Sequence, residues 1–147
     1  MRLPSKMDND FEVWETGQPE AIRGDVLWKL DTYRLALYLG DIVRGDVRRA
    51  KGDEYSHCRS QLLACASSVS ANIAEGYSRP TPSDRARFYG YALGSTRESI
   101  VWYAALRDAL CDEIVFARYS HLARLRRLLI AIQKSLHSKL PPGAFTP

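Results

Sequence analysis

Between Gln61 and Arg79 the chain reads QLLACASSVSANIAEGYSR, with Leu62, Cys65, Val69 and Ile73 recurring every three or four residues. That is the period of a helix. Most of its other positions are Ala, Ser and Cys, and from Tyr55 to Ala74 the only formal charge is Arg59, in a chain that is 26% charged. A helix with small side chains and no charged face has to be surrounded by protein, with neighbouring backbones close to it. The segment therefore predicts the central helix of a bundle and of an assembly. Glu75-Gly76 predicts its end, since glycine takes the left-handed cap conformation without strain.

The rest of the chain is organised around this helix. Residues 1–23 are polar and lack a sustained period, so they read as an acidic, mobile arm; Phe11, Val13 and Trp14 interrupt it, either as docking residues or as incidental aromatics and aliphatics. A first helix is predicted from about Asp25 to Val43, carrying two apolar rows (Trp28, Leu35, Leu39 and Ile42; Leu27, Leu30, Tyr33 and Leu37). Arg44 to Gly52 reads as a basic loop, and Asp53-Glu54 as the acidic start of the second helix. Thr81, Pro82 and Asp84 have the residue types of an N-cap, a first helical position and a capping-box partner. They open a third helix that reaches about Ala109, with Phe88, Tyr91 or Ala92, Ser95, Ser99, Trp102 and Leu106 inward. Gly94-Ser95 in mid-helix costs about 1 kcal/mol against alanine and predicts close contact with the small residues of the second helix. A fourth helix runs from about Asp112 to His137, with Ile114, Leu122, Leu125, Leu129, Ile132 and Leu136 inside. No alternating strand pattern occurs. The expected fold is all-α, an antiparallel up-down-up-down four-helix bundle over 24–140, with a short tail over 141–147.

At 147 residues the chain has room for one real core. No apolar run approaches the roughly 20 residues of a membrane span, and Met1–Lys6 does not lead into a signal-peptide apolar region; a cytoplasmic location without membrane contact is expected. Cys58 and Cys65 lie roughly 10 Å apart along one helix, too far to bridge. With Cys111 they are expected to be buried, reduced thiols. Enzymatic chemistry is nearly absent: His57, His121 and His137 have no metal-ligand spacing and no adjacent carboxylate, and no phosphate-binding glycine loop follows a strand. Ser67, Ser68 and Ser70 read as packing residues. No catalytic residue, metal ligand or cofactor is expected.

The arginines are the functional candidates. Residues 1–25 hold three basic and six acidic side chains, a net of −3, which leaves +7 on the remainder to reach the total of +4. Sixteen of the 21 basic residues are Arg, and no acid follows Glu113. Arg suits bidentate phosphate contacts and stacking on bases. Three clusters stand out: Arg44, Arg48, Arg49 and Lys51; Arg79, Arg85 and Arg87; and Arg124, Arg127 and Lys134, which share the fourth-helix face opposite its leucines. They predict salt-sensitive binding of RNA or DNA with little sequence preference, and Tyr77, Tyr89 and Tyr119 lie near enough for base stacking. The bland reading is a solvated face on a self-assembling scaffold that binds a protein partner. On the central helix, Asn72 and Glu75 are the odd polar residues. Glu75 calls for a cationic partner such as Arg79, and a buried Asn can fix register or assembly state.

The words SANIAEG within Gln61–Gly76 resemble the signature of a bacterial four-helix-bundle family. Its members include proteins encoded in intervening sequences of 23S ribosomal RNA genes and the accessory variability determinant proteins of diversity-generating retroelements. Leu27-Trp28, Leu37-Tyr38, and Gly94-Ser95 with Glu98 match as well, so the resemblance spans roughly Asp25 to Lys139. It implies a ring-shaped homopentamer, no cofactor, and partnership with a retroelement reverse transcriptase and its RNA. Leu63 and Ala64 depart from the family, which often has two arginines there.

Overall fold

A computed structural model describes residues 6–139, with side chains from Asn9 onward. Among the described residues there are six α-helices and no strand: α1 (Lys6–Thr16), α2 (Glu20–Arg23), α3 (Asp31–Arg49), α4 (Ser56–Tyr77), α5 (Pro82–Ala105) and α6 (Asp112–His137). Val26–Lys29 and Asp53–Tyr55 are 3-10 turns that lead into α3 and α4. Both α4 and α6 pack against α3 and against α5. Leu35, Leu39 and Val43 of α3, Leu62, Val69 and Ile73 of α4, Tyr103 of α5, and Leu122, Leu125 and Leu129 of α6 meet between them, each at most 1% exposed. Burying each aliphatic side chain contributes roughly 1.5–3 kcal/mol, so these rows hold the four long helices together. The start of α5 is capped as its residue types require: the Thr81 hydroxyl accepts from the Asp84 amide at 3.2 Å and donates to the Asp84 carboxylate at 3.1 Å.

The first long helix differs from its expected bounds at both ends. Asp25 caps the 3-10 turn, accepting from the Leu27 amide at 2.8 Å, and α3 begins only at Asp31. It then continues through the supposed basic loop to Arg49. The inward stripe does not end at Val43, because Asp46 and Ala50 extend it as buried residues. Arg44, Arg48 and Arg49 are thus helical, and only Lys51 of that cluster lies beyond the helix.

The two glycines singled out in the sequence also behave differently from expectation. Gly76 is helical and α4 runs past it to Tyr77; the one positive φ among the described residues is at Gly52 (114°). What requires glycine at 76 is proximity. A Cβ there would lie 3.0 Å from the Phe88 Cβ and 3.4 Å from the Arg85 carbonyl oxygen. Gly94 is exposed, with nothing within 4 Å of a Cβ, so the expected close contact does not form there. Its neighbour Ser95 makes it, donating to the Ser68 hydroxyl of α4 at 3.2 Å. The inward row of α5 is Ala86, Tyr89, Ala92, Leu93, Thr96, Ser99 and Tyr103, so of the expected pair Ala92 is inward and Tyr91 faces outward at 53% exposure. Among the cysteines, Cys65 is buried as expected, whereas Cys58 is half-buried and Cys111 is exposed; all three are free thiols.

Within the segment read as a mobile arm, Lys6–Thr16 is a docked helix. Trp14 of α1 stacks on Trp28 at 6.0 Å and donates through Nε1 to Asp41 of α3 at 2.5 Å. Phe11 meets Tyr38 at 5.3 Å, and Arg34 of α3 pairs with Glu15 at 2.6 Å. Val13 takes no part in this contact and is 67% exposed. Residues 141–147 lie outside the described residues.

Candidate nucleic-acid interface

The three basic clusters do not form one patch. Arg118 of α6 meets Asp46 near the end of α3, whereas Gln133, further along α6, meets the Ala86 carbonyl near the start of α5. The helical rise puts these two levels roughly 22 Å apart. Arg44, Arg48, Arg49 and Lys51 therefore lie toward one end of the long helices. Arg79, Arg85 and Arg87 lie toward the other, on the side that α6 approaches through Lys134.

Several of these cations are neutralised within the chain. Arg44 pairs with Asp41, Arg49 with Asp46 at 3.1 Å, Arg79 with Glu75, and Arg87 with Asp84 at 3.5 Å. Arg79 and Arg87 also lie over the Phe88 ring, at 4.7 Å and 5.4 Å. Arg85 donates from Nε to the Arg79 carbonyl at 2.6 Å, which braces the turn between α4 and α5. On α6, Ser120, Arg127, Ala131, Lys134 and Ser138 are exposed along one face, with Arg124 half-buried on the same row. No carboxylate of the described residues pairs with Arg127 or Lys134, nor with Arg48 or Lys51. Tyr89 is buried, and Tyr77 and Tyr119 are half-buried, so the tyrosines named for stacking are packing residues.

The odd polar residues of α4 are satisfied locally. Asn72 donates to the Ser68 carbonyl at 2.9 Å and to its hydroxyl at 2.8 Å, at partial rather than full burial. Glu75 finds Arg79 one turn on, as its position near a helix C-terminus requires. Ala64, Ser67 and Ala71 are exposed, and Leu63 is 38% exposed. A face of α4 thus presents neither charge nor core contact.

The strongest electrostatic feature escaped the sequence reading. Asp46 is fully buried and accepts from Arg118 Nε at 2.7 Å and Nη2 at 3.1 Å, from the Tyr103 hydroxyl at 2.7 Å and from Arg49 at 3.1 Å. Burial opposes the Arg118 charge, but the hydrogen bonds and the attraction of Asp46 outweigh it and hold its pKa above the ordinary value. Burial and the Asp46 charge push the Tyr103 phenol upward. Nearby, His121 is 1% exposed, with its Nε2 2.9 Å from the Leu35 carbonyl. Burial lowers its pKa to about 4, so the neutral ring donates to that carbonyl. All of these groups are mutually satisfied, which makes the cluster a structural clasp between α3, α5 and α6. The sequence signal was present: an acid within the inward period of α3 and an arginine five residues after the last acid of α6.

Among the described residues no group of three or more His, Cys, Asp or Glu side chains is placed to hold a metal ion. No described helix is long and apolar enough to cross a membrane. The model of the 23S rRNA-intervening sequence protein family matches residues 29–137. The chain belongs to that family. A crystal structure of a protein of unknown function from the S23 ribosomal protein family of Bacteroides thetaiotaomicron VPI-5482 superposes with a TM-score of 0.65. The match covers 70% of this chain and 98% of the other, at 19% identity, a likeness of fold. No curated protein sequence matches the chain. The region matched by the intervening-sequence family takes in α3 to α6; α1 and α2 precede it.

Proposed function

We propose that this intervening-sequence family member is a non-enzymatic, cytoplasmic protein that binds RNA or DNA through phosphate contacts along α6 and the neighbouring start of α5. The observation that carries this reading is the exposed face of α6, where Arg127 and Lys134 stand without a carboxylate partner among the described residues. Three such cations per protomer, counting Arg85, give a log affinity against log salt slope of about −2 on single strands. Titration of labelled RNA and DNA at several salt concentrations measures it. Replacing Arg127 and Lys134 with Glu is expected to abolish binding at moderate salt. Stability should change by no more than about 0.5 kcal/mol at each exposed site. Absence of binding at low salt removes this reading.

The uncharged face of α4 favours a second property, self-assembly, in the four-helix-bundle ring that the resemblance implies. Small exposed side chains without charge let another backbone approach closely. Light scattering after size exclusion is expected to give several times 16.6 kDa, with five copies the expected number. A monomer at micromolar concentration overturns it. If assembly is found without nucleic-acid binding, the scaffold reading takes its place. Partnership with a reverse transcriptase rests on the resemblance of Gln61–Gly76, and a reverse-transcriptase gene beside a template repeat in the genomic neighbourhood is its test.

A further inference from the structure

We propose that the groove between the start of α5 and the end of α6 takes one unpaired nucleobase, with Tyr91 as its stacking surface. The groove has a volume of about 350 Å³ and is lined by Asp84, Arg87, Gly90, Tyr91, Gln133 and His137, within the size range of small-ligand sites. Tyr89 and Tyr103 of the same helix are buried, whereas Tyr91 is 53% exposed. Its ring is nonetheless held. Phe88 meets it edge-on at 5.6 Å, and Phe88 is itself covered by the Arg79 and Arg87 guanidinium groups. An aromatic ring braced on one side and open on another is what a base stacks on.

The floor of the groove is fixed. Gln133 donates from Nε2 to the Ala86 carbonyl at 3.2 Å, and Gly90 leaves room for that amide, since a Cβ there would lie 3.0 Å from the nitrogen. The Gln133 side-chain oxygen accepts no hydrogen bond from the described residues, which leaves it to accept from a base amino or imino group. Beside the groove, Lys134 follows Gln133 and is exposed without a carboxylate partner among the described residues, whereas Arg87 on the rim is paired with Asp84. Flanking phosphates therefore meet positive charge. A paired base offers only its edges, so a ring face in a groove selects single strands over duplex. The assignment rests on the phosphate-binding reading above and adds which form of nucleic acid it holds.

The full-length protein titrated with an oligoadenylate RNA, and with the duplex of that RNA and oligouridylate, tests the assignment. Tyr91→Ala is expected to weaken single-strand binding by about 5- to 150-fold, the size that loss of one stacking aromatic gives. Duplex affinity and the salt slope should stay as in the wild type, because no charge is removed. Tyr91→Phe should bind like the wild type. Tyr91→Leu, which keeps an apolar contact with Phe88, should lose as much as Tyr91→Ala. If the wild type binds both RNAs and neither the Ala nor the Leu variant changes single-strand affinity, or both forms weaken equally, the groove assignment is wrong while phosphate binding stands. If the wild type binds neither RNA at low salt, both fall.

Discussion

Asp46→Ala is expected to destabilise the protein by about 3–5 kcal/mol, the range for breaking a buried ion pair from one side. The variant leaves the Arg118 guanidinium, with a side chain only 17% exposed, without its counter-charge and the Tyr103 hydroxyl without its acceptor. For a domain of this size that corresponds to a fall in melting temperature on the order of 10 °C. Replacing the whole cluster with apolar residues, Asp46→Leu with Arg118→Met and Tyr103→Phe, is expected to recover most of the loss, because no stranded charge remains. Urea denaturation of the wild type and the two variants measures both. A single variant within about 0.5 kcal/mol of the wild type would mean that Asp46 is not desolvated in solution.

His121 gives the second large effect, and it depends on pH. Its folded pKa of about 4 lies below the ordinary 6.5, so between those values the unfolded chain takes up a proton that the folded chain refuses. The stability contributed by the neutral ring is fully present above about pH 6.5 and is lost as pH falls through about 4. The shift corresponds to about 3 kcal/mol by linkage. His121→Gln keeps an amide donor in reach of the Leu35 carbonyl but does not titrate. Its stability should decline less than that of the wild type between pH 6.5 and pH 4, measured by denaturation at each pH. Parallel curves for the two proteins would show that His121 is already protonated, or solvated, in the fold.

Much of the fold was legible because it rests on short-range patterns. The apolar periods placed α4 and α6 to within a few residues, and Thr81-Pro82 with Asp84 marked the start of α5 through a cap that depends on four consecutive residues. The misses share a cause in tertiary contact. Asp46 sits at an inward position but fell within the stretch read as a basic loop, because its partner Arg118 lies 72 residues later; without that partner the apolar stripe of α3 ends at Val43. Gly76 looked like a cap, but the tight approach of Phe88 from the next helix explains it. The expected row through Phe88, Ser95 and Trp102 lies one residue off the observed row through Tyr89, Thr96 and Tyr103 on α5, where Ala, Gly and Ser supply little hydrophobic contrast. Of the interface, residue type indicated the exposed α6 row. Which arginines are spent on Asp41, Asp46, Glu75 and Asp84 became apparent only from the three-dimensional structure.

The docking of α1 places the chain's own reporters unevenly. Of its three tryptophans, Trp14 and Trp28 stack on each other where the N-terminal helix meets α3, and Trp102 sits apart, edge-on to His57 at 5.5 Å. Intrinsic fluorescence is therefore weighted toward the seam between α1 and the rest, whereas far-ultraviolet circular dichroism is weighted toward the long helices. If α1 lifts before the long helices melt, the fluorescence transition precedes the dichroism transition on heating. A coincident pair of curves would instead make the seam part of one cooperative unit.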